Sequence, residues 1–183
     1  MEHLKLQQRL VEKCKNGDSK AQYLLYEQHV DAMYNVAFRI TQSKFDAEDA
    51  VQEAFVKAFQ KIRSFKGEST FGSWLKRIVV NQCLSNIRKN KHQFQDIETV
   101  NDSALTVEPE INISEKISMG EVMDAIDQLP DGARIVFTLK AIEEYKFAEI
   151  SEMLNLTVTN CKVQYHRSKK LLNEKLKVLV DMN

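Results

Sequence analysis

Glycine and proline interrupt this chain only seven times, as five Gly and two Pro in 183 residues. Tight corners lean on these residues, because glycine reaches positive φ freely and proline presets a bend. A sheet protein of this length needs many more such corners, so the chain is read as a set of long helices. Hydrophobic periodicity agrees. Ala47, Ala50, Val51, Ala54, Phe55, Ala58, Phe59 and Ile62 recur at three- and four-residue steps, which marks one apolar helix face. Tyr23, Tyr26, Val30, Met33, Ala37 and Ile40 form an earlier stripe, and Phe71, Trp74, Leu75, Ile78, Val79, Leu84 and Ile87 a later one. Asp46 is read as the N-cap of the middle helix, with Glu48 and Asp49 in the first turn where the helix dipole favours acids. Ser64 to Thr70, with Gly67, breaks the run, and the third helix starts near Thr70.

The period fails between His92 and Ser118, a stretch of Asn, Asp, Ser, Thr, Glu and Pro109 with scattered apolar residues. Charge changes there too. Residues 1–95 carry a net +6, residues 96–127 a net −8, and residues 128–183 a net +2, so the formal total of zero conceals a strong contrast. The expected organisation is all-α: two small helical domains, 1–92 and 119–183, joined by an acidic flexible linker at 93–118. In the second domain a short helix through Val122 and Leu129 stops at Pro130. Helices over Ala133–Glu144, Phe147–Leu154 and Val158 to about Val178 follow.

Several functions drop out. No run of about 18 apolar residues exists to insert in a membrane, and Met1–Lys5 lacks the apolar core of a signal peptide. Cys14, Cys83 and Cys161 are far apart, and His3, His29, His92 and His166 lack ligand spacing. Neither a disulfide framework nor a metal site is expected, and a reducing cytoplasm is the natural setting. No nucleophile–base pair or phosphate-cradling glycine loop points to catalysis, so no cofactor is expected.

Three constellations remain. Ile150, Met153 and Leu154 give a short amphipathic helix; Asn155 can take the left-handed conformation that ends it, and Thr157 can cap the next. This is a helix-turn-helix pattern whose second helix carries Lys162, Arg167, Lys169, Lys170, Lys175 and Lys177. It suits the DNA major groove, which is the preferred reading over a helical hairpin with a solvated basic face. Second, Lys57 to Lys91 holds nine bases and one acid, with Arg77, Asn81, Ser85 and Arg88 on one helix face. The loop before that helix offers Phe65 and Phe71 beside Lys66, Ser69 and Thr70. Aromatics presented beside cations stack single-stranded bases. The bland alternative is that Phe65, Phe71 and Trp74 are core, which is the preferred placement for Trp74. Third, Asp49, Gln52, Glu53, Val56 and Gln60 form an outward polar stripe on the middle helix, a pattern that is usually just solvated.

These residues also resemble a family. Asp46-Ala47-Glu48-Asp49-Ala50-Val51-Gln52-Glu53-Ala54-Phe55 and the segment Phe65–Ile78, with Asn81 following, are similar to consecutive motifs of bacterial sigma factors. The stretch Glu149–Arg167 resembles that family's last helix-turn-helix, and size and order match the small extracytoplasmic-function (ECF) group. The resemblance implies that Asp49, Gln52 and Glu53 dock on the β′ clamp helices of core RNA polymerase, with a further contact to the β flap. It implies that the Phe65–Phe71 loop, with Lys66, Ser69 and Thr70, captures an extruded base of the promoter's minus-ten element. Arg77, Asn81 and Arg88 would then contact that strand. Thr159, Asn160, Lys162, Val163, His166 and Arg167 would read the minus-thirty-five element, and an anti-sigma factor is an expected partner. Asn155 replaces the commoner turn glycine, and Gln164 stands where bases are frequent; a glutamine can read adenine where arginine prefers guanine. The rival reading is a two-domain helix-turn-helix regulator that acts without polymerase docking.

Overall fold

A computed structural model describes residues 2–89, 111 and 117–182. The chain divides into two compact units, Met1–Lys89 and Asn90–Asn183. The first contains α1 (Glu2–Lys15), α2 (Ser19–Thr41), α3 (Lys44–Gln60), a 3₁₀ turn (Ile62–Ser64) and α4 (Phe71–Lys89). The second contains α5 (Met119–Asp127), α6 (Asp131–Phe137), a π-helical turn (Thr138–Ile142), α7 (Phe147–Leu154) and α8 (Val158–Met182). No strand occurs among the described residues.

In the first unit α2, α3 and α4 pack mutually and α1 lies on α2. Ala47, Ala50, Ala54 and Ala58 have no exposed surface, so α3 meets its neighbours along a stripe of methyl groups. Leu25, Ile40, Leu75 and Leu84 fill the space around that stripe and are likewise fully buried, each contributing about 1.5–3 kcal/mol. Asp18 caps α2 by accepting from the backbone N–H of Lys20 (2.9 Å) and Ala21 (3.1 Å). Gln42 closes α2 in the left-handed region, at φ 56°.

Some details differ from the sequence reading. The N-cap of α3 is Ser43, whose hydroxyl accepts from the Asp46 backbone N–H at 3.2 Å; Asp46 sits inside the first turn. Tyr23 and Tyr26 are exposed, at 61% and 37%, and the buried face of α2 begins instead with Ala21 and Leu25. A tyrosine can lay its ring along the surface and keep its hydroxyl in water, so its bulk is a poor guide to burial. Helix α1 adds to the expected set; its Leu10, Val11 and Cys14 recur at helical spacing and are buried.

In the second unit a capping box opens α5. The Ser118 N–H donates to Glu121 Oε2 at 2.8 Å and the Glu121 N–H donates to Ser118 Oγ at 3.3 Å. Val122, Ala125, Ile126 and Leu129 pack on Phe137, Leu172 and Leu176. The expected helix over 133–144 is α6 followed by the π turn, ending at Glu143 and at Glu144 with φ 64°. The linker expected at 93–118 lies outside the described residues except for Ile111, Ile117 and Ser118. Ile117 is buried in the second unit's core, and Ile111 packs against it.

Candidate functional site

The surface stripe on α3 follows from its buried one. With the alanines turned inward, Asp49, Gln52 and Glu53 face solvent, and Val56 continues the line at 56% exposed. One member is tied back: the Glu53 carboxylate accepts from Gln82 Nε2 on α4.

Past α3 the 3₁₀ turn is closed by Phe65 N–H donating to the Ile62 carbonyl at 3.1 Å. Gly67, at φ 76°, then takes a conformation that a side chain would strain. Lys66, Ser69 and Thr70 are exposed on this loop. Thr70 also caps α4, its Oγ1 accepting from the Ser73 N–H at 3.1 Å. Phe65 and Phe71 are not presented to solvent, which corrects their reading as free stacking platforms: they are 8% and 1% exposed. With Trp74 they form a triangle, at centroid distances of 6.1 Å (Phe65–Phe71), 5.2 Å (Phe65–Trp74) and 5.8 Å (Phe71–Trp74). His29 packs on Phe71 from the other side at 5.4 Å. The rings lock one another, so the loop rests on a rigid aromatic floor.

That loop and α1 enclose a cavity of about 600 Å³, bordered by Gln7, Val11 and Lys15 on one side and Phe65, Lys66, Ser69, Thr70 and Phe71 on the other. The polar residues of α1 form no recognisable motif, so nothing in the sequence points to its place beside this loop. Two bonds hold the helix there: Gln7 Nε2 to His29 Nε2 at 2.9 Å, and Arg63 Nε donating to the Lys15 carbonyl at 3.3 Å.

Arg77, Asn81 and Arg88 are exposed on α4, as their spacing predicts. Asn81 and Ser85 border a second cavity of about 300 Å³, which Lys57 and Lys61 complete from the C-terminal end of α3. The cysteines are shut away from chemistry. Burial pushes the Cys83 thiol up to about 12 and the Cys14 thiol up to about 11, and raises Cys161 as well. Thiols, not nucleophilic thiolates, are present at neutral pH.

In the second unit Asn155 is left-handed, at φ 55°, and ends α7 as the sequence requires. Ser151 Oγ donates to the Leu156 carbonyl at 2.6 Å and the Leu156 N–H donates to the Ser151 carbonyl at 3.1 Å. Thr157 Oγ1 accepts from the Asn160 N–H at 3.0 Å, opening α8. Thr159, Lys162 and Arg167 are exposed on α8, and Asn160, Val163 and His166 are half-buried. Gln164 is 1% exposed on the opposite side with Cys161 and Ser168, so it cannot reach a base edge as its sequence position had suggested. Tyr165 anchors the helix, packing on Phe137 at 5.8 Å and Phe147 at 5.6 Å.

Comparison with known proteins places these features. The Sigma-70 region 2 family matches residues 25–93, and the Sigma-70, region 4 family matches residues 119–172. The ECF RNA polymerase sigma factor SigW of Bacillus subtilis is 32% identical over 179 residues, spanning 92% of this chain and 96% of that protein. The ECF RNA polymerase sigma-E factor of Escherichia coli K12 is 29% identical over 181 residues, spanning 93% and 94%. Among solved structures, the sigma factor RpoE of Bartonella quintana, in complex with the anti-sigma factor NepR, aligns with a TM-score of 0.55 at 24% identity. That alignment spans 88% of this chain and 98% of that one. CnrH, in complex with the cytosolic domain of CnrY, aligns with a TM-score of 0.51 at 21% identity, spanning 97% and 98%; both likenesses speak to the fold. Two region matches in the right order, with a relative similar along nearly its whole length, favour a sigma factor over a regulator unrelated to polymerase. The chain belongs to the ECF RNA polymerase sigma factors, the initiation factors that direct RNA polymerase to promoters.

Proposed function

We propose that residues 1–92 form the module for core polymerase and the minus-ten element. Residues 119–183 form the module for the minus-thirty-five element, with the acidic stretch 93–118 connecting them. The observation that carries this reading is the division of labour within the first unit: an acidic stripe faces out from α3, while α4 turns Arg77, Asn81 and Arg88 outward. A partner on the stripe leaves the basic face free for nucleic acid.

In this reading Asp49, Gln52 and Glu53 dock on the β′ clamp helices. Lys66, Ser69 and Thr70 offer hydrogen bonds to an extruded base above the floor of Phe65 and Phe71, and Arg77, Asn81 and Arg88 hold the strand. Flipping a base costs a few kcal/mol, and contacts in a preformed pocket offset that cost without fuel. Thr159, Asn160, Lys162, Val163, His166 and Arg167 read the upstream element in the major groove, and the second unit meets the β flap. The polymerase supplies the catalytic centre, so the chain is an initiation factor in the cytoplasm and not an enzyme in itself. An anti-sigma protein that covers the docking and DNA faces is the expected inhibitor.

Run-off transcription with core RNA polymerase tests this. Asn81→Ala is expected to lower open-complex formation more than initial promoter binding, and equal losses would remove Asn81 from strand capture. Arg167→Ala is expected to relax preference at the upstream element, by about 1–3 kcal/mol if it makes a bidentate base contact. Unchanged preference would remove it from the reading face.

A further inference from the structure

Gln82 is a polar side chain only 4% exposed on α4, and none of the roles above uses it. Both ends of its amide reach α3. Nε2 donates to the Glu53 carboxylate and, at 2.8 Å, to Asn86 Oδ1 of its own helix, while Oε1 accepts from Lys57 Nζ. Glu53 and Lys57 lie one helical turn apart, with the acid N-terminal to the base, the order in which such pairs attract best. Yet no ion pair joins them among the described residues. The amide stands between the two charges and bonds each separately.

Its two arms lead to different surfaces. Glu53 belongs to the exposed stripe with Asp49 and Gln52, whereas Lys57 borders the 300 Å³ cavity together with Lys61, Asn81 and Ser85. A neutral amide suits this place because it donates to a carboxylate and accepts from an ammonium at the same time. Held by three hydrogen bonds in a buried setting, it fixes both charged heads before any partner arrives, which lowers the ordering cost of binding.

We propose that Gln82 is a positioning residue that keeps Glu53 and Lys57 apart, reserving the carboxylate for core polymerase and the ammonium for the promoter strand. The inference rests on the docking role given to Glu53 above. Without the amide, Lys57 closes on Glu53 and each neutralises the other.

The test uses the full chain and core RNA polymerase, with affinity read by fluorescence anisotropy and strand opening by permanganate reactivity. Gln82→Met keeps the side chain's length and removes its bonds. It is expected to weaken core binding by about two- to fivefold, the strength of a surface ion pair that docking must now break, and to lower strand opening at saturating polymerase. The decisive chain carries Gln82→Met and Lys57→Met together. With no ammonium to capture Glu53, core affinity is expected to return to within about twofold of the parent, reflecting coupling between contacting residues, while strand opening stays low. A folding defect from the buried substitution is common to both chains and predicts no recovery. Absence of recovery, or unchanged core affinity in Gln82→Met, overturns the proposal. Glu53→Ala separates the two levels. If it leaves core affinity intact, the docking role of Glu53 falls and takes this inference with it. If it weakens docking while Gln82→Met does not, only the positioning role is overturned.

Discussion

Among the described residues, three buried atoms on α8 lack hydrogen-bond partners: Asn160 Oδ1, Gln164 Nε2 and His166 Nδ1. A buried donor without an acceptor costs about 1–3 kcal/mol, so Gln164 weakens the second unit where a leucine would not. Gln164→Leu is expected to stabilise that unit by about 1 kcal/mol, seen as a higher midpoint in thermal unfolding. Promoter preference should not change, because the exposed side of α8 is untouched; an altered preference would return Gln164 to the list of readers. Burial at this scale is where sequence reasoning ran short. Gln164 has a base-reading side chain on a basic helix, and Phe65 and Phe71 stand among glycine and cations, so composition alone turned all three toward DNA. What turns them inward is three-dimensional: the ring triangle with Trp74 in one unit and the helical register shared with Cys161 and Ser168 in the other.

At the scale of the element, most helices were legible because apolar residues at three- and four-residue steps bury a stripe. Helix ends were less so. Ser43 and Asp46 can both cap, and they lie three residues apart, so the choice between them depends on which backbone N–H faces which oxygen. The geometry assigns the cap to Ser43, and Ser43→Ala is expected to cost about 1 kcal/mol. Asp46→Ala should cost less, about 0.3–1 kcal/mol, through the dipole alone; chemical denaturation of the two variants ranks them. Helix α1 is less legible because, among its described side chains, the buried ones are Leu10, Val11 and Cys14, too few for a strong periodic signal. Asn155 was legible for the opposite reason: a turn between two helices needs one left-handed residue, and asparagine is among the few that accept it.

For the whole molecule, charge distribution matters more than the sum. The +6 of residues 1–95 and the +2 of residues 128–183 are modest for nucleic-acid binding, and each phosphate contact they make is weakened by salt. Free chain is expected to bind promoter duplex no tighter than the non-specific range, about 10⁻⁴–10⁻⁶ M at physiological salt. Addition of core polymerase should bring specific binding as two weak modules act together. Titration of labelled promoter with and without core checks this, and nanomolar binding by the free chain would contradict it. The family itself was readable from three motifs. The connection between the α3 stripe and the α4 face was not, since it runs through Gln82, whose only sequence signal is a polar residue beside Val79 and Cys83 on a core-facing register.

The methyl stripe of α3 also bears on how such a chain can diverge. Ala47, Ala50, Ala54 and Ala58 are fully buried, so a larger side chain there has to displace packed neighbours and variation on that helix falls most easily on its outer positions. There, Gln52, Val56 and Gln60 can be exchanged without disturbing the bundle. A lineage that duplicates this gene could therefore retune the outer face of that helix one residue at a time while inheriting the scaffold unchanged. A selection library restricted to those three positions would sample new partners almost free of folding failures.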